Sequence, residues 1–441
     1  MTAALSSVDG LAILLVLLAL GAVFVVVVRE VPLLGLCACL AFMCFVPPWV
    51  GGSFVVFVTP LTAAFLGSIL ALWSGSGIRL RAFDAVMLLV LGVIAVSFVA
   101  GFVTLERAFA AVFGWGVAYL AGRVLGMRVR EDVVATVIAV AFGVVALLAI
   151  LEFVTQHNLF VGLHLGGGAG YARWSGIRWR GGVPRVEGAW GSAIALGGGL
   201  AMSVPFVWCS RLRPALKAAT LAAVGFAAVV TFSRIGMVST VLAFVGCLVL
   251  LGGAVSPGFR RAAAALFVVG AAVALPLARD VFTAAGSEAS NSADYRGDLL
   301  SLVPSMNWLG RTSEVTTDAA GETRYGAFGS IDSAPILLGL DYGILPLLVL
   351  LGAAVVAAVA LVRANRSAAL VAVVALLPGL TSVAFITQLT PMFWFVVGLA
   401  VAHVDVLAGR DPASDVAAGA RNDPRAVDRL VAAGGSIAAG R

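Results

Sequence analysis

Apolar runs of about twenty residues recur along this chain from Leu11 to Ala408, separated mostly by short polar connections. That is the length an α-helix needs to cross a hydrocarbon core roughly 30 Å thick at about 1.5 Å per residue. With 61% hydrophobic and 11% charged residues among 441, the chain carries more apolar surface than a water-soluble domain can hide. Lipid is therefore the expected solvent. In lipid, backbone amides and carbonyls must be satisfied within the segment, so the expected fold class is all-α: a polytopic transmembrane helical bundle.

Spans are expected near 11–28, 31–47, 54–73, 84–103, 109–125, 132–154, 189–209, 217–233, 235–253, 262–278, 333–362, 367–387 and 389–408, which makes thirteen, or twelve if one does not cross. No basic residue precedes Leu11 and no small-residue cleavage site follows before the next run, so the first run is expected to be retained as a span. The bundle occupies 1–408. Residues 409–441 form a polar tail without apolar periodicity, expected to be cytoplasmic and disordered or loosely helical. No internal repeat argues for inverted transporter halves.

Basic residues set the orientation. Arg79 and Arg81, then Arg123, Arg128 and Arg130, then Arg211, Arg213 and Lys217, then Arg260 and Arg261, then Arg363 and Arg366 fall in every second loop. Those loops are expected on the cytoplasmic side. The formal charge of +6 is thus spread over short loops rather than gathered in one patch, and no nucleic-acid partner is expected. The cysteines Cys37, Cys39, Cys44, Cys209 and Cys247 all lie in apolar runs without histidine partners, where they read as small hydrophobes rather than disulfides or a zinc site.

Two connections are too long to be simple turns, residues 155–188 and 279–332, and alternation makes both extracytoplasmic. They also break the charge rule, the first with Arg173, Arg178, Arg180 and Arg185, the second with Arg279, Arg296, Arg311 and Arg324. Long loops translocate regardless of charge, so solvated arginines are one reading. Anion binding is the other. Arg234, in Thr231-Phe232-Ser233-Arg234-Ile235-Gly236, sits between two apolar runs and either snorkels or clamps an anion with its planar fork. Arg185 stands just before the seventh span, Tyr295-Arg296 lies in the second loop, and Asp332 opens a long apolar segment. A carboxylate there can cap a helix or, facing arginines, act as a general base.

Taken in order, these stretches resemble the O-antigen ligase and O-antigen polymerase superfamily over roughly residues 130–400. Leu151-Glu152-Phe153-Val154 with Asn158-Leu159-Phe160 is similar to its Glu-Phe segment, and Arg185-Val186-Glu187-Gly188-Ala189-Trp190 to its Arg-x-x-Gly-aromatic region. Ser233-Arg234-Ile235-Gly236 matches its Ser-Arg-x-Gly motif, and Tyr295-Arg296 its Tyr-Arg helix. Asp332-Ser333 stands where ligases carry His-Asn, while Gly343-Ile344-Leu345-Pro346 keeps the downstream spacing.

The resemblance implies a glycosyltransferase of the bacterial cytoplasmic membrane, polymerase or ligase, acting at the outer face without metal or cofactor. Its partners would be a polyprenyl-diphosphate-linked glycan donor, a glycan or glycolipid acceptor, and membrane lipid. Arg185, Arg234 and Asp332 would be catalytic, and Arg296, Tyr295, Glu187 and Arg180 would bind substrate. The long loops hold no Asp-x-Asp or His-rich element, consistent with arginines in the place of a metal. The competing reading is a transporter or flippase of lipid-linked glycans, which would want charged residues in mid-span, with Glu152 and Asp341 as the acidic candidates.

Overall fold

A computed structural model describes residues 8–53, 57–73, 78–163, 165, 168–284, 295, 297–317, 323–363 and 366–409. Arg296 and the tail beyond 409 lie outside the described residues. The chain is mostly helical. In order the helices are α1 (Val8–Glu30), α2 (Pro32–Phe45), α3 (Pro60–Leu72), α4 (Ala82–Val99), α5 (Leu105–Arg128), α6 (Glu131–Thr155), the short α7 (Gly168–Trp174), α8 (Ala193–Cys209), α9 (Pro214–Val230), α10 (Arg234–Leu250) and α11 (Pro257–Ala284). They are followed by α12 (Ala334–Tyr342), α13 (Ile344–Arg363), α14 (Ala368–Leu380) and α15 (Leu389–Gly409). Three antiparallel ribbons interrupt them: β1 (Gly52–Ser53) with β2 (Phe57–Val58), β3 (Trp179–Arg180) with β4 (Val183–Pro184), and β5 (Val315–Thr317) with β6 (Thr323–Tyr325).

Among the fully described residues, α4, α5, α6, α11 and α13 are long and apolar enough to cross a membrane. Others are shorter: α3 and α14 have 13 residues each, about 20 Å at the usual rise. Proline in the first turn and serine or threonine at the N-cap set these starts. Pro60 follows Thr59, whose side chain accepts the Thr62 amide, and Ser192, Ser233, Ser333 and Ser367 cap α8, α10, α12 and α14 in the same way. Each cap satisfies an amide that lipid could not, which is why the helices begin there.

α8 is the centre of the bundle, buried along nearly its whole length. It crosses α10 at Gly197 and Gly236, where a β-carbon on Gly236 would stand 2.8 Å from the Gly197 Cα. Such small-residue contacts let helices pack closely where lipid is as apolar as leucine. α11 and α13 lie at the periphery, with Val268, Val269, Val273, Val355, Val356 and Val362 exposed.

Two expectations need correction. The apolar segment 333–362 is not one span: it breaks after Tyr342 at Gly343, whose φ of +99° is open to glycine and costly for other residues. A side chain at that position would also run into the Trp308 carbonyl, 2.7 Å from the β-carbon. Arg123, expected in a basic loop, is fully buried in α5. Its guanidinium meets the Asp84 carboxylate of α4 at 3.2 Å and the Arg79 carbonyl at 3.0 Å, the pairing a charge requires when taken out of water.

Candidate functional site

The first long connection is built around Glu152, in the last turn of α6. Its Oε1 accepts the Glu187 amide at 3.0 Å and its Oε2 the Gly188 amide at 2.9 Å. Asn158 Nδ2 donates to Glu152 Oε1 and to the Gly188 carbonyl, both at 3.1 Å. Two adjacent amides and a carboxamide thus fix the segment entering α8, and the charge-assisted bonds are of the stronger kind. A residue that a transport path would use is here occupied with the backbone.

The segment held by Glu152 carries the expected cations. Arg185 is buried, its Nε donating to the Thr231 carbonyl at 3.1 Å and its amide to the Arg178 carbonyl at 2.8 Å. Arg180, on β3, donates through Nη1 to the Phe232 carbonyl at 2.9 Å. Both therefore grip the hinge between α9 and α10. That hinge is strained: Phe232 is a buried non-glycine residue with φ of +47°, a conformation costing on the order of 1–3 kcal/mol.

Arg234 opens α10 directly after the hinge and is exposed. Its guanidinium carbon lies 4.7 Å from the centre of the Phe282 ring, and that of Arg180 lies 5.5 Å from the same ring. One aromatic face-partner on α11 therefore draws two like charges together. The Ser-Arg-x-Gly motif has a separate physical role for each residue. Ser233 caps α10 by accepting the Gly236 amide at 3.2 Å, Arg234 projects outward, and Gly236 allows the crossing with α8.

Glu187 is the carboxyl on which Arg178 and Arg185 act. It is 4% exposed, and its Oε1 has no hydrogen-bond partner among the described residues; leaving such an atom unsatisfied costs about 1–3 kcal/mol. Burial pushes its carboxyl up from 4.5 to about 7 against the pull of Arg178 and Arg185, with Glu152 adding to the rise. Folding thus favours its protonated form. The stabilisation from this group is fully present below about 4.5 and lost as pH rises through about 7. Thermal unfolding of the wild type between those values should show this fall, and Glu187→Gln, which cannot ionise, should not. Parallel melting profiles for the two would show that Glu187 does not titrate in this way.

The second long connection places Tyr295 and Asp332 together. Tyr295 donates to the Ser330 carbonyl and meets Phe328 edge-on at 5.4 Å, while Ser330 Oγ and Asp332 Oδ1 are 3.1 Å apart. The cap of α12 is Ser333 rather than Asp332, which frees Asp332 from that structural duty. No described hydrogen bond or ion pair joins Asp332 to Arg180, Arg185 or Arg234. The expected site residues therefore form two groups, one around Phe282 and one around Ser330.

A further polar cluster centres on Asp341, which the sequence singled out without its partners. Asp341, 2% exposed at the end of α12, meets Arg107 of α5 at 3.0 Å, Arg311 at 3.9 Å and the Tyr325 hydroxyl at 2.6 Å. Arg107 also donates to that hydroxyl at 3.2 Å. Burial, then Asp341, pushes the Tyr325 phenol up to about 12, so it remains a donor. Around it, the Gly310 and Thr312 amides bond the Tyr342 and Leu340 carbonyls, and Ile344 and Leu345 bond back to Asn307 and Trp308. The loop is welded across the α12–α13 break. Arg107 lies more than two hundred positions from Tyr325 and Asp341 and gives no local signal; Asp341 alone stands out, as a charge inside an apolar run.

Among the described residues no group of three His, Cys, Asp or Glu side chains is placed to hold a metal ion. No protein-family model matches the chain, and neither does any curated protein or solved structure.

Proposed function

We propose that the chain is a membrane glycosyltransferase that joins a polyprenyl-diphosphate-linked glycan to a glycan or glycolipid acceptor, as a polysaccharide polymerase or a ligase resembling the O-antigen enzymes. In this reading the helices make 12–13 crossings of a bacterial cytoplasmic membrane, the basic short loops face the cytoplasm and the arginine cluster faces outward. The observation that carries it is the gathering of Arg180 and Arg234 on one ring, Phe282, beside Arg185. Several guanidinium groups kept close against their mutual repulsion suit a multiply charged anion, and a diphosphate offers the oxygens for their planar forks.

In the reaction, an acceptor hydroxyl oxygen bonds the anomeric carbon while the bond from that carbon to the diphosphate oxygen breaks. The electron pair leaves with the lipid diphosphate, and the acceptor's proton passes to a base. Negative charge grows on the leaving group, where fixed cations stabilise it more than they stabilise the ground state. The transporter reading is less well supported, because Glu152 and Asp341 are both engaged with the protein's own groups.

The sequence resemblance makes Asp332 one candidate base, and Asp332→Asn tests that candidate without disturbing a cap. If Asp332 accepts the proton, transfer should fall by about 100-fold or more, measured as glycan ladder formed in membranes. Transfer at the wild-type level would remove Asp332 from the chemistry.

A further inference from the structure

Glu187 is a buried carboxyl on which Arg185 of the arginine cluster acts, and no described residue uses its free oxygen. Its backbone is pinned by Glu152 and Gly188 by the same carboxylate, so the residue is fixed two positions from Arg185. The charged groups acting on it are Glu152 from α6 and Arg178 and Arg185, which flank the β3–β4 ribbon, while the Ala193 amide reaches it from the start of α8. Its Oε1 is buried and lacks a hydrogen-bond partner among the described residues.

We propose that Glu187, rather than Asp332, takes the proton of the acceptor hydroxyl, an assignment that rests on the glycosyl-transfer reading. The acceptor O–H proton goes to Oε1 as the acceptor oxygen bonds the anomeric carbon, and the diphosphate leaves with the electron pair of the broken bond. A hydroxyl arriving there supplies the hydrogen bond that the protein leaves unmade. Base and cations then serve a single sugar, whereas the described contacts of Asp332 lead to Ser330. A carboxylate held wholly by arginines would be too weakly basic to help near neutrality. Burial corrects this, bringing Glu187 to about 7, where a base works best at physiological pH. Glu152 and Glu187 are thus a pair of carboxyls with separated roles, one fixed by two amides and one able to exchange a proton.

The test uses the full chain in phospholipid vesicles, with the lipid-linked glycan extracted from cells that lack the chain as donor and acceptor. Wild type, Glu187→Gln, Glu187→Asp, Asp332→Asn and Arg234→Ala are compared for ladder formation and release of polyprenyl diphosphate across the neutral range. Wild-type transfer should fall on the acid side with a midpoint near 7. Glu187→Gln should lose about 100-fold or more at every pH, Glu187→Asp should recover part of the rate with its acid limb displaced, and Asp332→Asn should keep the wild-type limb. A residue with only a structural role would lower the yield of folded protein and leave that limb in place. The proposal is overturned if Glu187→Gln transfers at nearly the wild-type rate, or if Asp332→Asn alone removes the acid limb. In either case the glycosyl-transfer reading stands so long as Arg234→Ala is inactive. If the wild type builds no ladder, or Arg234→Ala builds a full one, the reading itself fails and the assignment of Glu187 fails with it.

Discussion

Arg234→Ala should eliminate glycan ladder formation while the protein accumulates in the membrane at the wild-type level. The side chain is exposed at the first position of α10, and the helix keeps its cap because Ser233 and the Gly236 amide are untouched. What disappears is one fixed cation over Phe282. Removing one preorganised donor to developing negative charge costs about 100- to 1,000-fold in rate, enough to clear a gel of product. Arg234→Lys should fall between, since an ammonium keeps the charge but not the planar fork or the ring contact. Arg185→Ala is expected to be inactive as well but is less diagnostic, because it also strips a buried hydrogen bond from the Thr231 carbonyl. A full ladder from Arg234→Ala would sink the proposed function.

Gly122→Val should leave almost no folded protein in detergent. Gly122 of α5 faces Phe395 of α15 so closely that a β-carbon would overlap the Phe395 carbonyl oxygen and crowd its carbonyl carbon. The contact is reciprocal, for a β-carbon on Gly398 would overlap the Tyr119 carbonyl. Backbone cannot swing aside as a side chain can, so the penalty should exceed the about 1–3 kcal/mol usual for overpacking. Gly92→Val on α4 is the control, having nothing within 4 Å of its β-carbon. It should elute and melt like wild type by size-exclusion chromatography and thermal unfolding. Equal behaviour of the two variants would show that α5 and α15 do not meet as described.

The arginines of the first long connection were legible because charge in an otherwise apolar chain stands out, and Arg180, Arg185 and Arg234 do come together. Phe282, the ring that joins two of them, was not, since a phenylalanine inside an apolar helix looks like any lipid-facing residue. The same holds for Arg107 and Tyr325. Each is ordinary in its own stretch, and only the break at Gly343 turns Asp341 toward α5 and the second loop. Glu152 was readable as a charge near a helix end. That its two oxygens are taken by consecutive amides thirty-five and thirty-six positions away was not.

The sequence by itself determined the solvent and the helical class, because each apolar run must satisfy its own backbone within lipid and only a helix does so locally. It also placed most helix starts to within a few residues, through the onset of the apolar runs. Lengths and breaks were decided by tertiary structure: 333–362 is apolar but for Ser333 and Asp341, yet the loop at Trp308 bonds across Gly343 and splits it. Which arginine is a buried strut and which meets the surface was decided there too. Arg123 and Arg234 look alike in sequence, but one meets Asp84 from a neighbouring helix and the other does not. Hydropathy is a property of a segment, whereas pairing a charge needs a partner that only the packed bundle supplies.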